Sequence, residues 1–164
     1  MKNKFNSLKT KIIVLALIAI CTINTAWAQV YCPVDITFED EYISDVQVAS
    51  ITNPSGLTAG GYADYTSILI PMTIGTDYPI TVNNGMDGSG GFYNSDNMGI
   101  WVDWNHDGDF DDVDETITIT SGNPSDGPYT ATINPPAGAV NGATRMRLRL
   151  VYNEVPEIGR ASCR

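Results

Sequence analysis

The sequence predicts an all-β protein, an antiparallel β-sandwich of Ig-like or jelly-roll-like kind with about seven strands. Three observations predict it. Apolar residues recur at every second position in a series of short windows, the period of a strand with one buried face. The windows are separated by clusters of Gly, Asn, Asp and Pro, and the chain carries 15 Gly and 9 Pro in 164 residues. Beyond the first thirty residues no window shows an apolar stripe at helical spacing. Hydrophobic residues make up 43% of the chain, enough for a folded core, and no repeat or second composition regime divides it.

The first 28 residues read as a secretory signal peptide. Lys2, Lys4, Lys9 and Lys11 form a basic start, and Ile12 to Cys21 is apolar but too short to span a bilayer. Ala26-Trp27-Ala28 gives the small-x-small pattern of a cleavage site, so the exported chain is expected to begin at Gln29. An uncleaved anchor helix is the alternative. The expected location is secreted or cell-surface, in a bacterium, with no membrane insertion of the mature chain.

Residues 29–156 form the expected sandwich domain. Val46 and Val48 alternate with Asp45 and Gln47, giving the first strand. Ile68, Ile70, Met72 and Ile74 make a longer row, in which Pro71 suggests an edge or a bulge. Tyr78, Ile80 and Val82 follow a Gly75-Thr76-Asp77 turn, and the stretch from Asn83 to Gly91 reads as a long glycine-rich connection without phosphate-cradle spacing. Ile100, Val102 and Trp104 give the next strand, Thr116 to Thr120 with Ile117 and Ile119 another, and Tyr129, Ala131 and Ile133 another. In the last, Met146, Leu148 and Leu150 alternate with Arg145, Arg147 and Arg149, so the three arginines are expected on one face, near carboxylates.

Residues 157–164, Glu-Ile-Gly-Arg-Ala-Ser-Cys-Arg, match a reading frame of a common short-read sequencing adapter. They are therefore expected to be translated adapter joined to a truncated gene, making no ordered contact with the sandwich. Of Cys21, Cys32 and Cys163, this leaves Cys32 alone in an oxidising compartment, an odd count that implies a missing partner.

Charge narrows the partners. All four lysines lie in the leader, so downstream only five arginines oppose 19 acidic residues. Such a field repels phosphate backbones and anionic headgroups, which argues against nucleic-acid or membrane-surface binding and for cations.

The run from Trp101 to Glu115 carries the one specific signal. Asp103, Asn105 and Asp107 fit positions one, three and five of a D-x-N-x-D-G calcium loop, and Gly108 takes the sixth, where the chain must turn sharply. Asp109 would supply a carbonyl at seven, Asp111 would act directly or through water at nine, and Asp114 stands at twelve, with Glu115 one step late. The expected metal ligands are thus Asp103, Asn105, Asp107, Asp109, Asp111 and Asp114, holding a structural Ca²⁺ of weak extracellular-type affinity. Flanking strands rather than helices argue for a static site. The alternative is a solvated acidic turn, since Asp, Asn and Gly also favour turns by local hydrogen bonding. His106 is expected at the surface, outside the ligand set.

These residues carry a resemblance. Tyr31-Cys32, the Tyr62-Ala63-Asp64-Tyr65-Thr66 segment, the Trp101 to Phe110 run and the Arg145 to Arg149 strand, in that order, resemble the GEVED domain. That family is a β-sandwich module of large secreted proteins in Bacteroidota-type bacteria. The resemblance covers nearly all of residues 31–156. It implies a second cysteine near a proline and then the Gly-Glu-Val-Glu-Asp motif, and this sequence has neither after Pro156. The departure agrees with truncation and with a lone Cys32. The family accompanies proteases, adhesins and sorting signals.

Catalytic patterns are absent. No Gly-x-Ser-x-Gly elbow occurs, a single histidine leaves no choice of base, and His and Cys are too few for catalytic zinc. The expected function is a non-catalytic, calcium-stabilised extracellular module of a larger secreted or cell-surface protein, serving adhesion, spacing or support of a neighbouring domain. Its expected partners are calcium and either glycans or cell-surface proteins. Two alternatives stand: a carbohydrate-binding module using Tyr62, Tyr65, Tyr93, Trp101 or Trp104, and the accessory domain of a truncated secreted protease or hydrolase.

Overall fold

In a computed structural model the described residues are Tyr31, Ile36, 41–86 and 94–158. Residues 1–30, with the expected signal peptide, Cys32, the 87–93 stretch and the residues from 159 lie outside them. Eight strands follow in order: β1 Glu41–Val48, β2 Ile51–Pro54, β3 Tyr78–Met86, β4 Asp96–Val102, β5 Thr116–Ile117, β6 Ile119–Ser121, β7 Tyr129–Ile133 and β8 Met146–Tyr152. They make two antiparallel sheets, one of five strands in the order β2-β1-β3-β7-β6 and one of three in the order β5-β4-β8. The all-β sandwich is therefore observed, with one strand more than the periodicity suggested. Among the described residues there is no helix, and none long and apolar enough to cross a membrane.

The core lies between the sheets. Val48, Ile80, Val82, Tyr129, Ala131 and Ile133 come from the larger sheet, and Met98, Ile100, Val102 and Ile117 from the smaller. Each set follows the period-two alternation, because successive strand side chains point to opposite faces. The same rule puts Met146, Leu148 and Leu150 of β8 against the core. A bulge in β1 between Ile43 and Asp45 lets Ile43 and Val46, three residues apart, both pack on it. Ser44 at the bulge donates its hydroxyl to the carbonyls of Asn83 and Asn84.

Three expectations need correction. Residues 68–74 form no strand: Ile70 and Met72 pack on the core while Leu69 and Pro71 face out, but no ladder forms. The 116–120 window is two strands. Ile117 pairs with Ile100 in the small sheet and Ile119 with Ala131 in the large one, so the chain changes sheets at Thr118. Finally, β3 and β4 run further than expected, to Met86 and back to Asp96, and β2 was not anticipated.

Candidate metal centre at the β4–β5 loop

The loop leaves β4 at Asp103 and returns at Thr116. Its base is closed by backbone bonds: the Val102 N–H donates to the Glu115 carbonyl (2.9 Å) and the Asp103 N–H to the Arg145 carbonyl (3.1 Å). Trp104, 8% exposed, lies across the base, and its indole N–H donates to the Asp114 carbonyl at 3.1 Å.

From that base the chain curls by repeated capture of backbone N–H groups. Asp103 Oδ1 accepts from the His106 N–H (2.7 Å) and its Oδ2 from the Gly108 N–H (3.1 Å). Asn105 Oδ1 then accepts from Asp107 N–H, Asp107 Oδ1 from Asp109 N–H, and Asp109 Oδ1 from Asp111 N–H, at 2.9, 3.1 and 2.9 Å. Each is a side chain bonding the backbone two residues on, the local preference that makes Asp and Asn turn formers. His106 and Asp114 take left-handed backbone conformations, with φ of 64° and 73°, as does Gly108 at 96°.

The curl sorts the expected ligands into two groups. Asp107 and Asp109 converge with Asp112, with one carboxylate oxygen from each within 4.8 Å of the others, all three exposed. Asn105 touches the group, its amide nitrogen donating to Asp107 Oδ2 and Asp112 Oδ2. Asp103, fully buried, instead spends its carboxylate on the backbone of the curl and on the Tyr31 hydroxyl, which donates to Oδ2 at 2.7 Å. Asp111 and Asp114 lie outside the convergent trio. Asp112 was not foreseen, since the tenth position carries no ligand in the spacing rule. Its only sequence signal is that it doubles a carboxylate beside Asp111.

Glu115 is 1% exposed, and its Oε1 accepts from the Trp104 N–H at 2.8 Å. Burial pushes its carboxyl pKa up, against the pull of the Trp104 and Asp112 backbone N–H groups, and the charge of Asp103 pushes the same way as burial. It organises the loop from inside. His106 is half-buried rather than at the surface, its ring against Gly142, where an added Cβ would stand 3.2 Å from Cε1.

Aromatic and cationic side chains tie this loop to β8. Phe110, 4% exposed, stacks at 5.4 Å on the ring of Tyr31. Arg145 lies over the Tyr31 ring at 4.5 Å and Arg147 over Phe110 at 5.1 Å. The arginines thus do share a face, but two of them rest on rings, contacts of cation–π type. Burial raises the Tyr31 phenol above its usual range, reinforced by its bond to Asp103 and that carboxylate's charge. Burial also lowers Arg147.

The chain beyond β8 returns to the same strand. The Arg149 and Arg147 guanidinia donate to the carbonyls of Glu157 (2.9 Å) and Ile158 (3.2 Å). The expectation of no ordered contact from 157 onward therefore fails at its first two residues; 159–164 lie outside the described ones. Of the aromatics considered for sugar stacking, Trp101 and Trp104 are buried, whereas Tyr62 and Tyr65 are 46% and 40% exposed. Tyr93 is outside the described residues.

No curated protein and no solved structure matches the chain. One family model does, that of the GEVED domain, over residues 97–162. The match begins in β4, continues past Pro156, and includes both the acidic loop and the arginine strand. The resemblance read from those two motifs to the GEVED family is thereby borne out over residues 97–162.

Proposed function

We propose that the chain is a non-catalytic module of a larger secreted or cell-surface bacterial protein, stabilised by calcium at the β4–β5 loop and serving adhesion, spacing or support of a neighbouring domain. The observation that carries the calcium reading is the convergence of Asp107, Asp109 and Asp112 on a loop already curled by its own side-chain-to-backbone bonds. Three exposed carboxylates this close repel one another, and a hard divalent cation removes the repulsion while accepting their oxygens.

The affinity expected is weak, on the order of 10⁻⁴ to 10⁻³ M. A cation bound only by the folded chain stabilises it by mass action, so millimolar calcium should raise the melting temperature and chelator lower it. Magnesium should act less well, because it demands tighter octahedral geometry. Asp107→Ala and Asp112→Ala should each abolish the response, and His106→Ala should leave it. A flat calorimetric titration, with a melting curve indifferent to chelator, would reduce the loop to an acidic turn.

A second reading, carbohydrate binding, is favoured by one observation: Tyr62 and Tyr65 stand exposed on the long 55–76 segment. Glycan-array binding lost in a Tyr62→Ala, Tyr65→Ala double variant would support it.

A further inference from the structure

The connection from β7 to β8 backs the acidic loop and is fastened to it on both sides of one short span. Before the span, the Val140 N–H donates to the Trp104 carbonyl at 2.8 Å. After it, the Thr144 hydroxyl donates to the Asp103 carbonyl, and the Asp103 N–H donates to the Arg145 carbonyl at 3.1 Å. Between these anchors stand Asn141, Gly142 and Ala143, all exposed. Among the described residues neither the Asn141 amide nor the Gly142 N–H has a hydrogen-bond partner. Gly142 takes a φ of 138°, which side chains rarely adopt, and lies against the His106 ring.

Asparagine is among the chemically labile residues, and a following glycine exposes it most, because no Cβ hinders attack of the glycine nitrogen on the side-chain carbonyl. The chain has two Asn-Gly pairs, and the fold treats them oppositely. Asn84-Gly85 lies within β3: Asn84 is 9% exposed, Gly85 is buried opposite Tyr42 of β1, and the Asn84 amide donates to Asp96 Oδ2 at 3.4 Å. The Asp-Gly pairs among the described residues are held as well, with the Gly108 N–H on Asp103 Oδ2 and the Gly127 N–H on Ser125 Oγ. A nitrogen so held turns onto the neighbouring carbonyl only after that bond breaks.

We propose that Asn141 is a modification site: in the folded chain it converts to isoaspartate, which lengthens the anchored span. The Gly142 nitrogen loses its proton to solvent base and bonds to the side-chain carbonyl carbon of Asn141. The carbon–nitrogen bond of the side-chain amide breaks, and ammonia leaves with a proton taken from water. Water then adds to the cyclic imide. Where it breaks the bond between the Asn141 main-chain carbonyl carbon and the Gly142 nitrogen, the main chain afterwards runs through the side chain. The backbone gains one methylene and a free carboxylate remains; breaking the other bond gives aspartate. The net change is amide plus water to carboxylate plus ammonium, with no oxidant. Between fixed anchors, the added methylene and the new charge on an already acidic chain loosen the Val140 bond to Trp104. The proposal does not depend on calcium.

The test incubates the purified protein in warm, mildly alkaline buffer, folded and in urea, and locates conversion by peptide mass spectrometry. In the folded chain Asn141 should convert at least about tenfold faster than Asn84, whereas in urea the two should agree within about threefold. Isoaspartate should be the main product, recognised by an isoaspartate-specific carboxyl methyltransferase. Asn141→Gln should remove the change at that position, because the longer side chain closes the ring far less readily. In the converted chain the Val140 amide should exchange hydrogen at least about threefold faster. A smaller folded-state ratio overturns the proposal, as does a ratio in urea equal to the folded one. Aspartate as the sole product, persistence of the change in Asn141→Gln, or unaltered exchange at Val140 would also overturn it.

Discussion

The Tyr31 phenol lies between a buried carboxylate to which it donates and a guanidinium stacked on its face. Tyr31→Phe keeps the ring against Phe110 and removes only the bond to Asp103. Hydrogen bonds to charged partners contribute about 1.5–3 kcal/mol, and the lower end applies because two backbone donors remain. Urea denaturation should show that loss. Tyr129 is buried too, and burial, followed by the charges of Asp96, Glu41 and Asp126, raises its phenol as well. Both folded-state values are raised, so the stability these groups confer is complete below the unfolded phenol pKa of about 10 and is lost as pH rises above it. Absorbance at 295 nm should accordingly rise in two stages, the exposed tyrosines first and these two with alkaline unfolding. A single stage with no change in far-UV dichroism would contradict this. The burial of Tyr129 was legible in its strand's alternation, but the bond of Tyr31 was not: Tyr31 entered the sequence reading only through the family resemblance, and nothing in its surroundings signals a bond 72 positions away.

Elements were legible where period two coincided with a ladder, as in β7 and β8. The row from Ile68 to Ile74 shows why the pattern can mislead. Alternation reports one buried face, and residues 68–73 have that, but the Pro71 nitrogen cannot donate and no described strand pairs with the segment. The opposite error occurred in β1, where the bulge at Ser44 broke the alternation and concealed Ile43. At 116–120 one periodic run served two sheets, a difference that only long-range pairing decides. The hairpin between β1 and β2 turns on Ala49, held at φ 53°. A left-handed residue with a Cβ costs roughly 1–2 kcal/mol, offset by glycine's greater unfolded-state freedom. Ala49→Gly should therefore stabilise by about 0.5 kcal/mol in chemical denaturation. Phe110 acts in the other direction: it fastens the acidic loop to β8 from a 4% exposed site. Phe110→Ala should cost about 3–5 kcal/mol, a range set by buried aromatic truncation. A loss under 1 kcal/mol would mean that the loop is held by its backbone bonds alone.

At the scale of the whole molecule, the imbalance of acidic over basic residues makes the folded state repel itself, and added salt of any kind screens that repulsion. A rise in melting temperature with calcium therefore identifies a site only beyond the rise given by sodium chloride of equal ionic strength. The expectation is a calcium increment that persists at 0.15 M salt, where the Debye length is about 8 Å, because the three carboxylates lie closer than that. Sequence located the loop well, since short-range Asx geometry is written in neighbouring residues. It could not sort the carboxylates by environment: whether an oxygen meets a backbone N–H, as in Asp103, or solvent, as in Asp112, depends on how the curl closes. The closing residue, Trp104, has a further use. Of the chain's three tryptophans, Trp27 lies outside the described residues and Trp101 and Trp104 are both buried. Trp104 alone donates to the loop, through the Asp114 carbonyl. A Trp27→Phe, Trp101→Phe chain would thus carry a single tryptophan, hydrogen-bonded to the acidic loop. Its emission maximum would follow the opening of that loop in real time, with no added dye.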